Sequence, residues 1–355
     1  MRAQGVEVSP RQQWTIHPLV RYIALRVLIG IALIFGVIVV TFILTRLIPS
    51  DPVQAALGDR ASGNPEIVEN LRAQMGLNEP VTTQFVLYLG DLAAGNLGIS
   101  AQTRTPVADD LAMAFPATVE LAIVSVIFST IIGVGLGLWA AFRRGRFADH
   151  GIRVLSLVGV SVPTFWLALI AFYLFSYQLA LLPGSGRLSP ITLPPPTVTG
   201  LYTFDAVLSG QWSTFADALS HLILPASVLS LFTIGLVTRF SRSAILEVLN
   251  MDYVRAARAK GLQPSAVVFR YVLRGALVPI ITIMGVAFGG LLSGTVLVES
   301  IFSWQGIGQY SFNAAVKLDL PAVMGAGLII GVVFVTVNLI VDLTYGFIDP
   351  RVRHR

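Results

Sequence analysis

Six long apolar stretches run along this chain, and polar segments of unequal length separate them. They cover approximately 22–45, 116–142, 154–182, 218–238, 276–298 and 322–345. A helix that crosses the roughly 30 Å hydrocarbon core of a bilayer needs about 20 apolar residues. The pattern therefore predicts an all-α integral membrane protein with six membrane-spanning helices. The first stretch lacks a small-residue cleavage site and runs into Arg46, which indicates a retained helix over 22–45.

The composition agrees with this class. Of the 355 residues 55% are hydrophobic and 12% are charged, with a mean hydropathy of +0.77. Soluble domains carry about 25% charged residues, and a soluble chain this apolar would expose large patches and aggregate. Soluble globular, disordered and fibrous classes are excluded. The chain has no cysteine, which excludes disulfides, thiolate catalysis and cysteine metal ligands.

The basic residues fall unequally on the two sides of the predicted bundle. With the N-terminus inside, inner segments hold 18 of the 24 Lys and Arg residues: four in 1–26, four in 143–153, seven in 239–275 and three in 346–355. Cytoplasmic segments carry this excess in membrane proteins, so both termini are predicted inside. The predicted organisation is a cytoplasmic tail 1–21, the first span 22–45, an extracytoplasmic helical segment 46–115, a five-helix domain 116–347 and a cytoplasmic tail 348–355.

Two outer segments are long enough to carry structure. In 46–115, Asn64 is placed to cap a helix that Pro65 begins and Gly76 ends. Its apolar stripe consists of Ile67, Leu71 and Met75. A second helix is expected over 81–95, with Phe85 and Leu89 four residues apart. The segment 183–217 contains three consecutive prolines, which favour an extended chain. Both segments are interpreted as lids on the membrane domain, with simple connectors as the alternative.

Catalytic signatures are missing from the sequence. The four histidines are scattered, so no metal site is predicted. No serine with a His or Lys base is interpreted as a catalytic pair within a span, and the glycine run 133–137 lies within a span, where small residues let helices approach closely. The sequence contains no G-x-x-x-x-G-K-[S/T] phosphate loop. The chain is therefore not expected to be an enzyme or to bind a nucleotide or other cofactor by itself.

Few acids lie within the predicted spans. Glu120 and Glu299 are near the outer ends of spans two and five, and acids at such positions usually reach the interface. Asn338 and Asp342 are one turn apart in span six and are expected to bond a neighbouring helix. This scarcity of intramembrane charge disfavours a proton-coupled carrier.

One inner segment, 247–279, has a distinctive pattern. Its alanines favour a helix that Gly261 ends, and Pro264 is suited to begin another. Two short helices meeting at a glycine bend are predicted. The alanines leave one side of the first helix without bulk, so that a partner could approach its backbone, with Arg255 and Arg258 beside that side. The alternative is a surface loop whose arginines only follow the inside excess of positive charge.

The same segment carries a family resemblance. The run 255–261 (RAARAKG) is similar to the loop by which membrane subunits of ABC importers dock on their ATPases. Ala256, Ala257, Gly261 and Leu273 have the residue types that the family's docking-loop pattern has at these positions. Arg255, Tyr271 and Arg274 have residue types that differ from that pattern. The variant DYVRAARAKG with a downstream ALVP resembles the peptide-importer branch. Further resemblances follow in order: 47–52 (LIPSDP), 95–98 (GNLG), 161–166 (SVPTFW), 221–226 (HLILPA) and 337–342 with 349–351.

The chain thus resembles a dipeptide/oligopeptide ABC-importer permease subunit over nearly its whole length. The resemblance implies the type I importer fold in a prokaryotic inner membrane. It also implies a second related permease, two cytoplasmic ATPases that bind ATP and Mg²⁺, and an extracytoplasmic peptide-binding protein, with no nucleic acid. The expected ATPase-coupling residues are Asp252, Tyr253, Arg255, Ala256, Ala257, Arg258, Ala259, Lys260 and Gly261. The outer helices are expected against the binding protein or over the pathway mouth.

Three alternatives remain open from the sequence. A related importer could carry a nickel chelate, glutathione or a similar solute, because the binding protein sets much of the selectivity. An ATP-independent channel or carrier is a second alternative, and a structural membrane protein is the third.

Overall fold

The computed structural model describes residues 18–47, 65–74 and 76–348, and these residues are predominantly helical. The helices are α1 Pro18–Leu47, α2 Pro65–Gln74, α3 Val81–Ala93, α4 Val107–Phe142, α5 Phe147–Ser161, α6 Thr164–Ala171, α7 Tyr202–Leu208, α8 Trp212–Leu249, α9 Asp252–Ala259, α10 Leu273–Phe302, α11 Ile307–Val316 and α12 Leu320–Ile348. Helix α6 continues into a π-helical stretch, Phe172–Gln178. Most of both predicted tails lies outside the described residues. The same is true of the sequence motif 349–351 and of most of the motif 47–52.

By length and apolarity, the described helices provide five single membrane spans, and six when one bent helix pair is counted as a span. Five helical segments, which include α1, α4, α8 and α12, pass as single spans. The fifth is Pro264–Phe288, which begins one short turn before a π-helical stretch Val267–Val272 and continues into α10. The sixth span is the bent pair formed by α5 and the helix that begins at Thr164.

The third span departs from the continuous helix predicted over 154–182. The second half of the span is bent by 99° away from the direction of the first half. Pro163 has no backbone N–H to continue the helix, and a proline disfavours helical geometry in the residue before it. Val162 accordingly has φ −80° and ψ 126°, an extended conformation. The motif 161–166 therefore forms a bend in the middle of the membrane domain.

Helix α8 lies at the centre of the bundle, where it packs against α4, α5 and α10. Glycines of α4 allow it to approach α8 closely: a Cβ added at Gly133 would lie 2.8 Å from Val237, and one at Gly137 would lie 2.9 Å from Ser241. The glycine run 133–137 is therefore a helix-packing element, as its position in a span predicts.

The outer helix α3 lies beside the first span. Helix α3 places Phe85 with its ring centroid 5.1 Å from that of Phe42 in α1, and Tyr88 stacks on the same ring at 5.7 Å. Helix α1 in turn packs on α12. Gly76 has φ 64° and ends α2, as predicted. Asn64, Met75 and the side chain of Leu71 lie outside the described residues. A contact of α2 and α3 with a binding protein stays a prediction.

Candidate functional site

The inner helix α9 has a sequence that suits a short isolated helix. Asp252 is in its first turn and Arg258 in its last, where their charges oppose the helix dipole favourably. Gly261 has φ 74° and donates its N–H to the carbonyl of Arg258 at 3.0 Å, which ends the helix. The predicted helix and glycine bend are confirmed. The second short helix is not separate, because the chain from Pro264 runs on into α10.

One face of α9 is seated on the protein itself. Val254 and Ala257 are buried in an apolar cluster with residues of α8 and of the beginning of the fifth span. These neighbours include Ile245, Val248, Val267 and Val272. Tyr253 lies over Gly275, where an added Cβ would clash with its hydroxyl group. The placement of Ala257 on the partner-facing side is therefore wrong: its small side chain fits the core of this chain.

The opposite face of α9 is exposed. Helical spacing aligns five residues along it: Asp252, Arg255, Ala256, Ala259 and Lys260. Arg255 forms an ion pair with Asp252, and Arg258 and Lys260 form no ion pair with any described residue. Two methyl groups, at Ala256 and Ala259, thus lie between charged side chains. A partner can approach the helix backbone there and meet cationic groups beside it.

A buried ion pair joins the second outer segment to the membrane domain. Arg187 contacts the Glu120 carboxylate at 2.7 Å, and the exposed fractions of the two side chains are 6% and 4%. The same carboxylate accepts hydrogen bonds from the backbone and hydroxyl group of Thr203, both at 2.7 Å. Arg187 also covers the ring of Tyr202. The expectation that Glu120 reaches the interface is wrong, because the outer segment covers it.

Asp205 lies in α7 and binds the backbone of the segment just before this helix. Its carboxylate accepts bonds from the hydroxyl and N–H groups of Thr199 and from the N–H groups of Val198 and Gly200. Burial acts to raise the pKa of Asp205, but these hydrogen bonds outweigh it and hold the pKa below the ordinary value of 3.8. The ionised carboxylate is therefore a structural anchor.

A second buried carboxylate fixes the turn after α10. Glu299 is fully buried and accepts hydrogen bonds from the Thr118 hydroxyl at 2.8 Å and the Gln309 N–H at 3.0 Å. Thr118 accepts a bond from the N–H of Ile307. The turn contains two non-glycine residues at positive φ, Ser303 and Gln305. Glu299 therefore does not reach the interface either; it ties the turn to α4.

Of the predicted polar pair in span six, the structure describes the side chain of Asn338 only. The Asn338 amide donates to the carbonyl of Phe334 in its own helix, at 2.8 Å. The expected bond from this pair to a neighbouring helix stays a prediction. The side chain of Asp342 lies outside the described residues.

The sequence interpretation missed one polar pair on the inner side. Arg242 of α8 contacts both oxygens of Asp149 at 2.6 and 2.8 Å and bridges to α5. Asp149 is 1% exposed. The two residues are 93 positions apart, and no local spacing indicates the pair. The only signal in the sequence is an acid placed among the arginines of an inner segment.

A six-span helical bundle that presents a short helix on its inner face has the architecture of a membrane-embedded transport subunit. Comparison with known proteins agrees. The family described as "Binding-protein-dependent transport system inner membrane component" matches residues 133–354, and the N-terminal part of such components matches residues 19–122. The chain belongs to this family. It is a multi-pass inner-membrane permease subunit of an ABC importer and not an enzyme; the importer also has ATPase and substrate-binding components.

Several relatives are similar along nearly their whole length. The chain is 46% identical to the probable D,D-dipeptide transport system permease protein DdpB of Escherichia coli, over 91% of this chain and 94% of that protein. It is 43% identical to the di/tripeptide transport system permease protein DppB of Pseudomonas aeruginosa, over 94% and 99%. A solved structure, the inward-facing MetNI methionine ABC transporter, matches 67% of this chain and 96% of that chain at 14% identity, with a TM-score of 0.50. This likeness shows the fold, that of a type I importer.

Proposed function

We propose that this chain forms half of a translocation pathway for di- or oligopeptides and that a second, related permease supplies the other half. Its relatives over more than nine-tenths of the chain are named as permeases of dipeptide or di/tripeptide transport systems. ATP and Mg²⁺ are held by two partner ATPases, and an extracytoplasmic binding protein delivers the peptide.

The observation that carries the coupling part of this proposal is the two-faced packing of α9. Its buried face rests on α8 and on the start of the fifth span through Val254 and Ala257. Its exposed face presents Ala256 between charged side chains. A force applied to the exposed face therefore passes directly to two membrane-spanning helices.

The mechanism follows from that packing. When ATP closes the ATPase pair, the ATPases displace α9, and its tightly packed inner face moves α8 and α10 with it. Close-packed interiors transmit such displacement as rigid-body motion because they have few voids to absorb it. The pathway between the two permeases then opens outward to receive the peptide.

The test places a bulky residue on the exposed face of α9 and, as a control, on another exposed inner position. Ala256→Trp is expected to abolish copurification of the ATPases and to reduce peptide uptake at least tenfold, while the thermal midpoint of the purified subunit stays unchanged. Arg144→Trp, at an exposed position in the other inner turn, is the matched control and should leave both readouts intact. Normal copurification and uptake with Ala256→Trp would contradict docking through this face.

The cargo requires a separate measurement. Uptake of a labelled dipeptide by the reconstituted importer is expected to depend on ATP and to be competed by other peptides, but not by glutathione or a nickel chelate. Competition by either solute at lower concentration than peptide would assign that cargo instead. Uptake by the chain alone without ATPases would indicate a stand-alone channel or carrier.

A further inference from the structure

A basic crevice opens between α5 and α8 on the inner side of the bundle. The two antiparallel helices touch at Gly235, where an added Cβ would lie 2.6 Å from the carbonyl oxygen of Ser156. They are bridged again by the Asp149–Arg242 ion pair. Each helix advances seven residues between these contacts, which is about 10 Å at 1.5 Å per residue. A cavity of about 370 Å³ lies in this interval.

The crevice carries an excess of positive charge. Arg153, Arg239 and Arg242 line it. Arg239 is exposed and has no ion pair with any described residue. Arg153 is 50% exposed, lies 3.8 Å from Asp149 and contacts His150. Among the described residues, the ion pairs of these arginines involve a single carboxylate, that of Asp149. Arg242 already engages both of its oxygens.

A second, apolar crevice adjoins the basic one at the bend of the third span. Its volume is about 490 Å³, and its walls include Val158, Pro163 and Trp166. Leu157 lines both crevices. Because α5 ends at the bend, the apolar crevice lies toward the membrane centre from the arginines. The two together offer cationic groups at one end and an apolar wall at the other.

The position of the arginines matches the headgroup level of the inner leaflet. Arg239 directly follows the predicted inner end of span four, and Arg153 directly precedes span three. Long arginine side chains at such positions reach the interface, and basic pockets between spans on this side suit anionic lipid headgroups. A phosphate there would meet at least two guanidinium groups that can donate hydrogen bonds.

We propose that the crevice between α5 and α8 binds the phosphate headgroup of an anionic phospholipid from the cytoplasmic leaflet, with an acyl chain along the apolar crevice at the 161–166 bend. The lipid links the two helices in the interval between the Gly235 contact and the Asp149–Arg242 bridge. Peptide transport is a separate property, and the lipid site does not depend on it.

The test measures lipid binding to the purified full chain in mild detergent. Dihexanoyl-phosphatidylglycerol, dihexanoyl-phosphatidylcholine and inorganic phosphate are titrated separately while the thermal midpoint is followed. Phosphatidylglycerol is expected to raise the midpoint with an affinity at least tenfold higher than the other two. Equal stabilisation by phosphatidylcholine would overturn the proposal, and equal affinity for inorganic phosphate would assign a phosphate site without lipid.

Two variants locate the site and one serves as control. Arg239→Gln is expected to weaken phosphatidylglycerol binding about fivefold, since one basic residue near a membrane surface contributes about that factor. Arg274→Gln, an exposed arginine at the inner end of α10, should have no effect. Leu157→Trp fills the apolar wall and should reduce the amount of long-chain phosphatidylglycerol that copurifies, measured by mass spectrometry. Equal losses in Arg274→Gln and Arg239→Gln would contradict a defined site.

The assembled importer gives the remaining check. Long-chain phosphatidylglycerol is expected to copurify with the complete complex as well as with the isolated chain. Its absence from the complex, together with a crosslink from Arg239→Cys to the second permease, would assign the crevice to a protein contact and overturn the lipid proposal.

Discussion

Buried carboxyl groups hold the outer surface of this protein together. Glu120 and Glu299 both lie inside apolar runs of the sequence, and both are satisfied by groups distant along the chain. An unpaired carboxylate there would be costly because burial removes its hydration. Glu120 and Glu299, which are unusual as acidic residues in predicted membrane spans, are thus the residues that fix the two outer loops.

The Arg187–Glu120 pair provides a prediction at this scale. Arg187→Ala leaves a buried carboxylate without its cation and is expected to destabilise the protein by about 3–5 kcal/mol. Adding Glu120→Gln removes the stranded charge and should restore part of the loss. A lowered thermal midpoint in the single variant and partial recovery in the double variant would support the pair. Additive losses would indicate that the two residues act independently.

Gly306 gives a second residue-scale prediction. A Cβ at Gly306 would lie 2.5 Å from both the Glu299 carboxylate and the Thr118 hydroxyl. Gly306→Ala is expected to cost about 1–3 kcal/mol through overpacking, measured as a fall in thermal midpoint. Gly327→Ala is the matched control, because nothing lies within 4 Å of a Cβ added there. Equal midpoints for the two variants would contradict the tight turn.

At the scale of elements, the third span shows how one residue changes a helix. Hydrophobicity over 154–182 is continuous, so the sequence pattern predicts a single helix. Pro163 interrupts the backbone hydrogen bonds, and the chain turns by 99° at that point. The bend creates the apolar crevice beside Leu157, which a straight helix would not form.

Pro163→Ala is expected to open this bend. The chain has no cysteine, so single cysteines at 155 and 169 can carry spin labels without background. Fourteen residues of continuous helix span about 21 Å, and the present angle reduces that separation to about 14 Å. The label distance in Pro163→Ala should therefore increase by several ångströms. The same labels with Pro196→Ala, in the outer segment, are the control; an unchanged distance in Pro163→Ala would show that packing alone maintains the bend.

At the scale of the whole molecule, the orientation in the membrane rests on the distribution of charge. Ile191 of the outer segment is 93% exposed, and Arg144 lies in an inner turn. A cysteine at 191 should react with a membrane-impermeant maleimide added to spheroplasts, whereas a cysteine at 144 should react only after the membrane is permeabilised. The reverse labelling would overturn the predicted orientation with both termini inside.

The sequence by itself determined the six spans, the inner helix with its glycine bend and the family resemblance. Those features depend on local properties, namely apolar length, helix propensity and a glycine at positive φ. The tertiary structure decided which face of α9 is exposed, and that Ala257 supports the core while Ala256 is free to meet a partner. It also decided that Glu120, Glu299 and Asp149 find partners 67, 181 and 93 residues away. Such pairs depend on how helices pack around α8, which no local pattern encodes.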